Sequence, residues 1–272
     1  MKNAIFCLFI FLTTTVCAQI KIKENVSETS SPSKENNSYV YWISNAGFYI
    51  DTPDGGIIID GILKDDDEIA RAKGIFSKTK LIFVSHVHGD HFNALGVLEH
   101  MKSNKKVHLI LSPESFNVLK SIGLNDSLLP RITVAYPDEN TLMPFVAGTF
   151  SGHIMQFDHS GVQNIGFALK TKYGNFTYIN GGIGNKQLIN DLSEKYPENK
   201  IVIANKWPLI QRDYIESIKM LFSPKWLLMA HHSGRKDAII INNGGAEIIE
   251  KRMSLGTMKG RIFGKFLERE TF

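Results

Sequence analysis

The most informative part of the sequence is Ser-His-Val-His-Gly-Asp-His-Phe, residues 85–92. It follows the apolar run Leu-Ile-Phe-Val at 81–84, whose branched and aromatic side chains are typical of a buried strand. A strand that ends here delivers several imidazoles and a carboxylate into one small volume. Those groups together suit zinc, iron or manganese. The pattern predicts a metal site, with a solvated histidine-rich loop as the alternative; its candidate ligands are His86, His88, Asp90 and His91.

Residues 1–18 have the organisation of a secretory signal peptide. Lys2 precedes an apolar stretch over 4–16, and the small side chains of Val16 and Ala18 fit cleavage before Gln19. The apolar stretch is short for a bilayer span, so an uncleaved membrane anchor is the less favoured alternative. We therefore expect an exported protein, periplasmic or secreted, with no membrane span once the signal is removed.

The remainder divides into a flexible polar leader at 19–38 and one domain at 39–272. The leader is rich in Lys, Glu, Ser and Asn, and it has too little apolar surface to offset the entropy of ordering. Both cysteines, Cys7 and Cys17, lie in the signal, so the mature chain has no disulfide and no thiolate ligand. The formal net charge of +4 is too small to indicate a nucleic-acid partner.

Hydrophobic periodicity predicts a strand-rich beginning followed by alternating strands and helices. Such an order favours sheets packed between helices. The main expected strands are 39–43, 48–51, 57–60, 81–85, 107–111, 131–135, 149–157, 166–170, 176–179, 201–204 and 226–230, and the main expected helices are 65–72, 91–101, 114–119, 186–196, 214–222 and 247–253.

Together these features resemble the metallo-β-lactamase superfamily. The most specific element is the motif His86-Val-His-Gly-Asp-His91, and the upstream hairpin ending Gly-Ile-Ile-Ile-Asp60-Gly supports it. Downstream, His159 precedes Asn-Ile-Gly-Phe-Ala-Leu at 164–169, and Pro-Lys-Trp-Leu-Leu-Met-Ala-His231 is similar to the superfamily's closing strand and last histidine. The resemblance implies an α+β fold, the four-layer αββα sandwich, with the site at one edge.

Carried over residue by residue, the resemblance implies two metal pockets. The first would use His86, His88 and His159, and the second would use Asp90, His91 and His231. His153 competes with His159 for the first pocket. His232 competes with His231 for the second, because successive strand residues face opposite sides of a sheet.

One position departs from the superfamily pattern. Gly182 stands where an aspartate normally bridges both metals, in the stretch Tyr-Ile-Asn-Gly-Gly-Ile-Gly-Asn at 178–185. Without that carboxylate, Asp90 is the only anionic ligand, which disfavours two divalent ions in a low-dielectric pocket. We therefore expect one zinc ion, with a second bound weakly or not at all, and Mn and Fe remain open. Asn180 would be a weak substitute ligand, and Asp60 is either a partner of a ligating imidazole or a turn residue.

These residues imply a metal-dependent hydrolase for a small-molecule ester, lactone or amide. Three imidazoles with an open fourth position match a catalytic zinc site, where the pKa of water falls toward ~7. Asp90 would orient the attacking water or accept its proton, and His231, if free of metal, would donate a proton or bind the oxyanion. The alternatives are a phosphodiesterase and a non-catalytic protein whose degenerate site binds a metal or ligand. The sequence gives no indication of oligomeric state.

The segment 259–272 is basic and aromatic, with Arg261, Phe263 and Lys265 among its residues. The simpler interpretation is a packed or frayed terminus. The alternative is a contact for a partner or an anionic surface.

Overall fold

The computed structural model describes residues 38–61, 74–159, 161–181 and 186–272. The predicted signal, the leader up to residue 37, the helix expected over 65–72 and Gly182 lie outside these ranges, and predictions about them stay predictions. The strands are β1 (Tyr39–Ser44), β2 (Gly47–Thr52), β3 (Gly55–Ile59), β4 (Thr79–Val84), β5 (His108–Leu111), β6 (Ile132–Val134), β7 (Met143–Ala147), β8 (Phe150–Phe157), β9 (Asn164–Thr171), β10 (Gly174–Ile179), β11 (Asn199–Asn205), β12 (Trp226–Ala230), β13 (Lys259–Arg261) and β14 (Arg269–Thr271).

Helices follow the parallel strands. A 3₁₀ helix covers Asp126–Arg131. The α-helices are α1 (Ala94–Ser103), α2 (Pro113–Ser121), α3 (Lys186–Lys195), α4 (Lys206–Leu209), α5 (Arg212–Phe222), α6 (Ala238–Asn242) and α7 (Ala246–Met253). Within the described ranges, none of these helices is long and apolar enough to cross a membrane.

The described strands form two seven-stranded mixed sheets. The first has the order β14-β1-β2-β3-β4-β5-β6 and the second β13-β12-β11-β10-β9-β8-β7. In each sheet the early strands pair antiparallel and the later ones pair parallel, with β3–β4 and β10–β11 as the first parallel pairs. Parallel pairs need crossover connections, and these carry most of the helices.

Alternation along the strands builds four layers. In β4, Leu81 and Phe83 join a cluster formed by both sheets, whereas Ile82 and Val84 pack on the outer side with buried residues of α1 and α2. The outer face of the second sheet packs in the same way against α3, α5 and α7. The predicted α+β class, with its αββα sandwich, is therefore confirmed.

Two local differences have physical reasons. The helix expected from His91 begins at Ala94, because residues 91 and 92 form a turn whose amides bond the His88 carbonyl and Asn93 caps the helix through Gly96 N. The short edge strands β7, β13 and β14 were not predicted. The segment 259–272 packs as strands, with β13 in the second sheet and β14 in the first.

Candidate metal centre

The candidate ligands gather at one edge of the sandwich, where strands from both sheets end. His86 and His88 follow β4, His159 follows β8, and His231 follows β12. The amide of Ile165 donates to the Ser85 carbonyl at 3.0 Å and so joins the two sheets beside the motif. The carboxyl ends of β4, β8 and β12 all lie at this edge, which is why residues far apart in sequence converge here.

Three imidazoles form the first group. His86 Nε2 lies 3.2 Å from His88 Nδ1, and His159 Nε2 lies 3.3 Å from the same atom. Tetrahedral zinc with Zn–N bonds of about 2.0–2.1 Å requires nitrogens about 3.3–3.4 Å apart. The spacing of these nitrogens is thus suited to a single shared ion.

Asp90, His91 and His231 form the second group. Asp90 Oδ2 lies 3.1 Å from His231 Nε2 and 3.6 Å from His91 Nε2. His91 Nε2 is buried and has no hydrogen-bond partner among the described residues. An unpartnered buried nitrogen is unfavourable unless something binds it, and a cation fits the acceptors around it. In each group the ligand atoms lie within 4.8 Å of one another.

Asp60 lies directly behind the second group and is fully buried. Its Oδ2 accepts hydrogen bonds from the Ser85 hydroxyl at 2.6 Å and the Tyr178 hydroxyl at 2.6 Å, and it lies 2.8 Å from His91 Nδ1. Its Oδ1 accepts from the Ser85 amide at 2.7 Å. This arrangement places the proton of His91 on Nδ1 and leaves Nε2 free as a ligand. Of the two interpretations of Asp60, the partner of an imidazole describes this geometry.

Ser85 and Asn180 support His86 in the first group. Ser85 Oγ lies 2.9 Å from His86 Nδ1, and Asn180 Nδ2 donates to Ser85 Oγ at 2.9 Å and to the Asn164 side chain at 3.0 Å. These contacts fall on the Nδ1 side of the His86 ring, away from the Nε2 that faces His88. The amide nitrogen of Asn180 therefore helps to orient the His86 ring, and a ligand role for its amide oxygen stays a prediction.

Asn45 connects the second group to the β1–β2 turn. Its Nδ2 donates to Asp90 Oδ2 at 2.7 Å, and its carbonyl accepts from the His231 amide at 3.1 Å. Its φ of 38° is in the left-handed region, which asparagine tolerates better than most residues. One turn residue therefore fixes both the carboxylate and the start of the His231 loop.

The structure separates the competing histidines. His153 lies on β8 with its Nδ1 2.7 Å from the Tyr196 hydroxyl, so it is His159 that joins the first group. His232 stacks on Trp42, with ring centroids 5.1 Å apart, and both of its ring nitrogens bond to backbone. It is His231 that faces Asp90.

The loop that carries His159 is attached to α2 by a reciprocal pair. The Glu114 amide donates to Gln163 Oε1 at 3.0 Å, and the Gln163 amide donates to Glu114 Oε2 at 2.9 Å. The amide of Val162 also bonds the His159 carbonyl at 2.9 Å. These bonds hold a loop of the second sheet against a helix that packs on the first.

The electrostatics of the site favour cation binding. Burial lowers the pKa of His86 to about 3, and burial also lowers the pKa of His159 and His231, so these imidazoles are neutral at pH 7. Burial opposes the ionisation of Asp60 and Asp90, but the neighbouring imidazoles hold both carboxyl pKa values below their usual range. Neutral imidazoles and ionised carboxylates are the forms that metals require.

Three supporting residues were not found by sequence reasoning. Asn45, Ser85 and Tyr178 carry no ligand spacing, and Tyr178 meets Asp60 only through the packing of the two sheets. The position of Ser85, at the end of β4 just before the motif, was the one available signal.

Several solved structures are similar to this protein in fold. The chain aligns with Igni18, a metallo hydrolase from the archaeon Ignicoccus hospitalis, at TM-score 0.60 and 16% identity over 87% of this chain and 98% of that one. It aligns with the metallo-beta-lactamase fold protein YhfI from Bacillus subtilis at TM-score 0.58 and 12% identity, over 88% and 100% of the two chains. The third is CmlA, a diiron beta-hydroxylase from Streptomyces venezuelae, at TM-score 0.57 and 11% identity, over 89% and 55%.

The chain therefore has the metallo-β-lactamase fold, as its resemblance implied. At these identities the likeness establishes the fold alone. No protein-family model matches the sequence, and no curated protein shows significant similarity to it.

Proposed function

We propose that this protein is a metal-dependent hydrolase of small-molecule esters, lactones or amides. The observation that carries the proposal is the convergence of six ligand atoms into two groups of three at one edge of the sandwich. Hydrolases of this fold among the solved structures support the general class. The choice of bond is our inference from the superfamily resemblance of the motifs.

The residues present fit a divalent cation. The nitrogen spacing in the first group suits zinc, and the unpartnered His91 Nε2 of the second group faces an ionised carboxylate. We propose zinc as the resident metal. Iron and manganese bind similar ligands, and CmlA is a diiron protein of the same fold.

A bound divalent metal would supply a Lewis acid and lower the pKa of a water molecule. The side chains supply the rest. With one ion in the first group, Asp90 is free to orient a water and accept its proton, and Asn45 holds the carboxylate for that role. His231 lies 3.1 Å from the same oxygen and can share the proton or bind the developing oxyanion.

We propose that the first ion binds more tightly than the second. Gly182 offers no bridging carboxylate, and Asp90 is the one anionic ligand in the six. The buried Asp60 adds a negative charge behind His91, which partly offsets the deficit. The first group consists of three imidazoles, two of which, His86 and His159, are kept neutral by burial, and it suits a mononuclear site.

The test combines metal analysis with a substrate panel. The mature chain, residues 19–272, is dialysed exhaustively and its metal content measured, and hydrolysis is assayed on chromogenic esters, lactones, amides and phosphodiesters. We expect about one zinc per chain and activity that chelation and His88→Ala remove, whereas His153→Ala retains it. Hydrolysis of the phosphodiesters alone would show that the protein is a phosphodiesterase and would contradict the proposed ester, lactone or amide substrate. Tight metal retention with no turnover favours a non-catalytic metal-binding protein.

We also propose that the protein is exported, on the basis of the signal-like residues 1–18. Expression of the full chain followed by mass spectrometry of the extracytoplasmic product tests this. A mature N-terminus at Gln19 is expected, and retention of residues 1–18 in a membrane fraction would contradict it.

A further inference from the structure

A pocket with a volume of about 630 Å³ lies beside the loop that follows His231. Residues 233–236 form one wall, and Gly264, Lys265 and Glu268 form the other. Ser233 is two residues from His231, so their Cα atoms lie within about 7.6 Å of each other. A volume of this size holds a substantial part of a small ligand. One wall of the pocket therefore begins two residues from a candidate metal ligand.

The walls are fixed to the same elements that build the metal centre. Trp42, which stacks on His232, pairs with the second wall through its carbonyl to the Leu267 amide at 2.8 Å and its amide to the Glu268 carbonyl at 3.0 Å. The first wall is held by Asp237, which accepts from the Ser233 amide at 3.1 Å and forms a buried ion pair with Lys206 at 2.9 Å. The pocket is a built feature of the fold.

The charges of the pocket leave two lysines without acidic partners. Arg235 pairs with Glu250 at 2.6 Å, and the Glu268 carboxylate pairs with Arg261 at 2.5 Å. The Glu268 carboxylate also accepts hydrogen bonds from the amides of Gly264 and Lys265, so its interactions lie within its own loop and with Arg261. Among the described residues, no acidic group lies within ion-pair distance of the exposed Lys236 and Lys265 side chains. Two unneutralised ammonium groups line one cavity.

We propose that this lysine pocket binds an anionic group of the substrate, a carboxylate or a phosphate, while the bond to be cleaved lies at the metal centre. The proposal rests on the proposed hydrolase function and gives it a substrate class. It also provides a role for the basic segment 259–272, which contributes Lys265. Two ammonium groups around an anion raise its local concentration and fix one end of the molecule relative to the metal.

Anion binding is measured first, because it needs no turnover. Succinate and inorganic phosphate are titrated calorimetrically into the mature protein with its metal bound and again after chelation. We expect at least one of them to bind in both states, and the one that binds more tightly identifies the anion. Lys236→Gln and Lys265→Gln are each expected to weaken binding about fivefold. Lys102→Gln, an exposed lysine on α1, is the matched control, and Lys236→Arg retains binding.

Three outcomes would overturn the proposal: no binding of either anion, loss of binding on chelation, or binding that the lysine variants leave unchanged. Kinetics on matched pairs of esters with and without a carboxylate provides the second readout. The Lys236→Gln/Lys265→Gln double variant should raise KM for the anionic ester only. Equal effects on both esters contradict the pocket, whereas failure of the wild type to hydrolyse any substrate contradicts the proposed function and leaves the calorimetric result intact.

Discussion

Asp60 Oδ2 and His91 Nδ1 lie 2.8 Å apart, and both side chains are fully excluded from solvent. A carboxylate in this position orients the ring, sets its tautomer and increases the basicity of the opposite nitrogen. The same carboxylate receives three further hydrogen bonds, from the Ser85 amide, the Ser85 hydroxyl and the Tyr178 hydroxyl. It thereby connects the motif strand to the second sheet.

Replacing Asp60 with Asn should weaken the second metal group and the fold together. The new amide would turn hydrogen atoms toward groups that already donate, so we expect a loss of about 3 kcal/mol in the free energy of unfolding. Metal affinity at His91 should fall about 10–100-fold. Urea unfolding and competition with a chromophoric chelator measure the two effects. Asp138→Asn, in an exposed turn, is the control, and equal behaviour of the two variants would exclude a special role for Asp60.

Asn45→Asp should strengthen binding of a second ion. The substitution places a carboxylate oxygen where Nδ2 now lies, 2.7 Å from Asp90 Oδ2. Two like charges at that distance destabilise the metal-free protein, but they attract a cation to the second group. We expect at least about a tenfold gain in second-ion affinity. Asn45→Ala removes the hydrogen bond to Asp90 without adding a charge, and it should show no such gain. It therefore separates the effect of the lost hydrogen bond from the effect of the added charge.

Gln163→Ala should loosen His159 without unfolding the chain. The substitution removes one of the two bonds that hold the His159 loop to α2, the acceptor for the Glu114 amide. We expect the affinity of the first metal group to fall about tenfold while the free energy of unfolding changes by about 1 kcal/mol. Isothermal titration with zinc and urea unfolding provide the measurements. Gln187→Ala on the exposed face of α3 should leave both unchanged.

His232 predicts a pH dependence of stability. Burial lowers its pKa to about 4, so the folded protein keeps this imidazole neutral, whereas the unfolded chain protonates it near pH 6.5. The unfolded state then binds more protons between these values, and stability falls as the pH falls through this window. The loss from His232 alone is about 2 kcal/mol between pH 7.5 and pH 5.

Urea unfolding of the metal-free protein at several pH values measures this effect against His232→Gln. The variant loses the stacking on Trp42 and should be less stable at pH 7.5. Its deficit relative to wild type should shrink by about 2 kcal/mol at pH 5, since glutamine does not titrate. A deficit that stays constant with pH would contradict the assignment of this window to His232.

The sequence predicted best those features that depend on residues close together in the chain. The apolar run before the motif predicted β4, and its polar ending predicted the ligand cluster. His231 was harder, because β12 ends at Ala230 and the backbone at His231 has a φ of 63°, so strand alternation no longer applies there. The contact of Tyr178 with Asp60 joins residues 118 positions apart and depends on how the two sheets dock. No periodicity carries that information.

The candidate ligands of each metal group come from both halves of the sandwich. His86 and His88 belong to the first sheet and His159 to the second, and Asp90 and His91 likewise share their group with His231. By thermodynamic linkage, an ion that binds only when both halves are docked resists their separation. The affinity for zinc therefore depends on how well the two sheets pack against each other. Phe83 and Phe167 lie between the sheets with their ring centroids 4.5 Å apart. Replacing either with a smaller side chain should therefore lower the affinity for metal, although neither ring belongs to the metal centre.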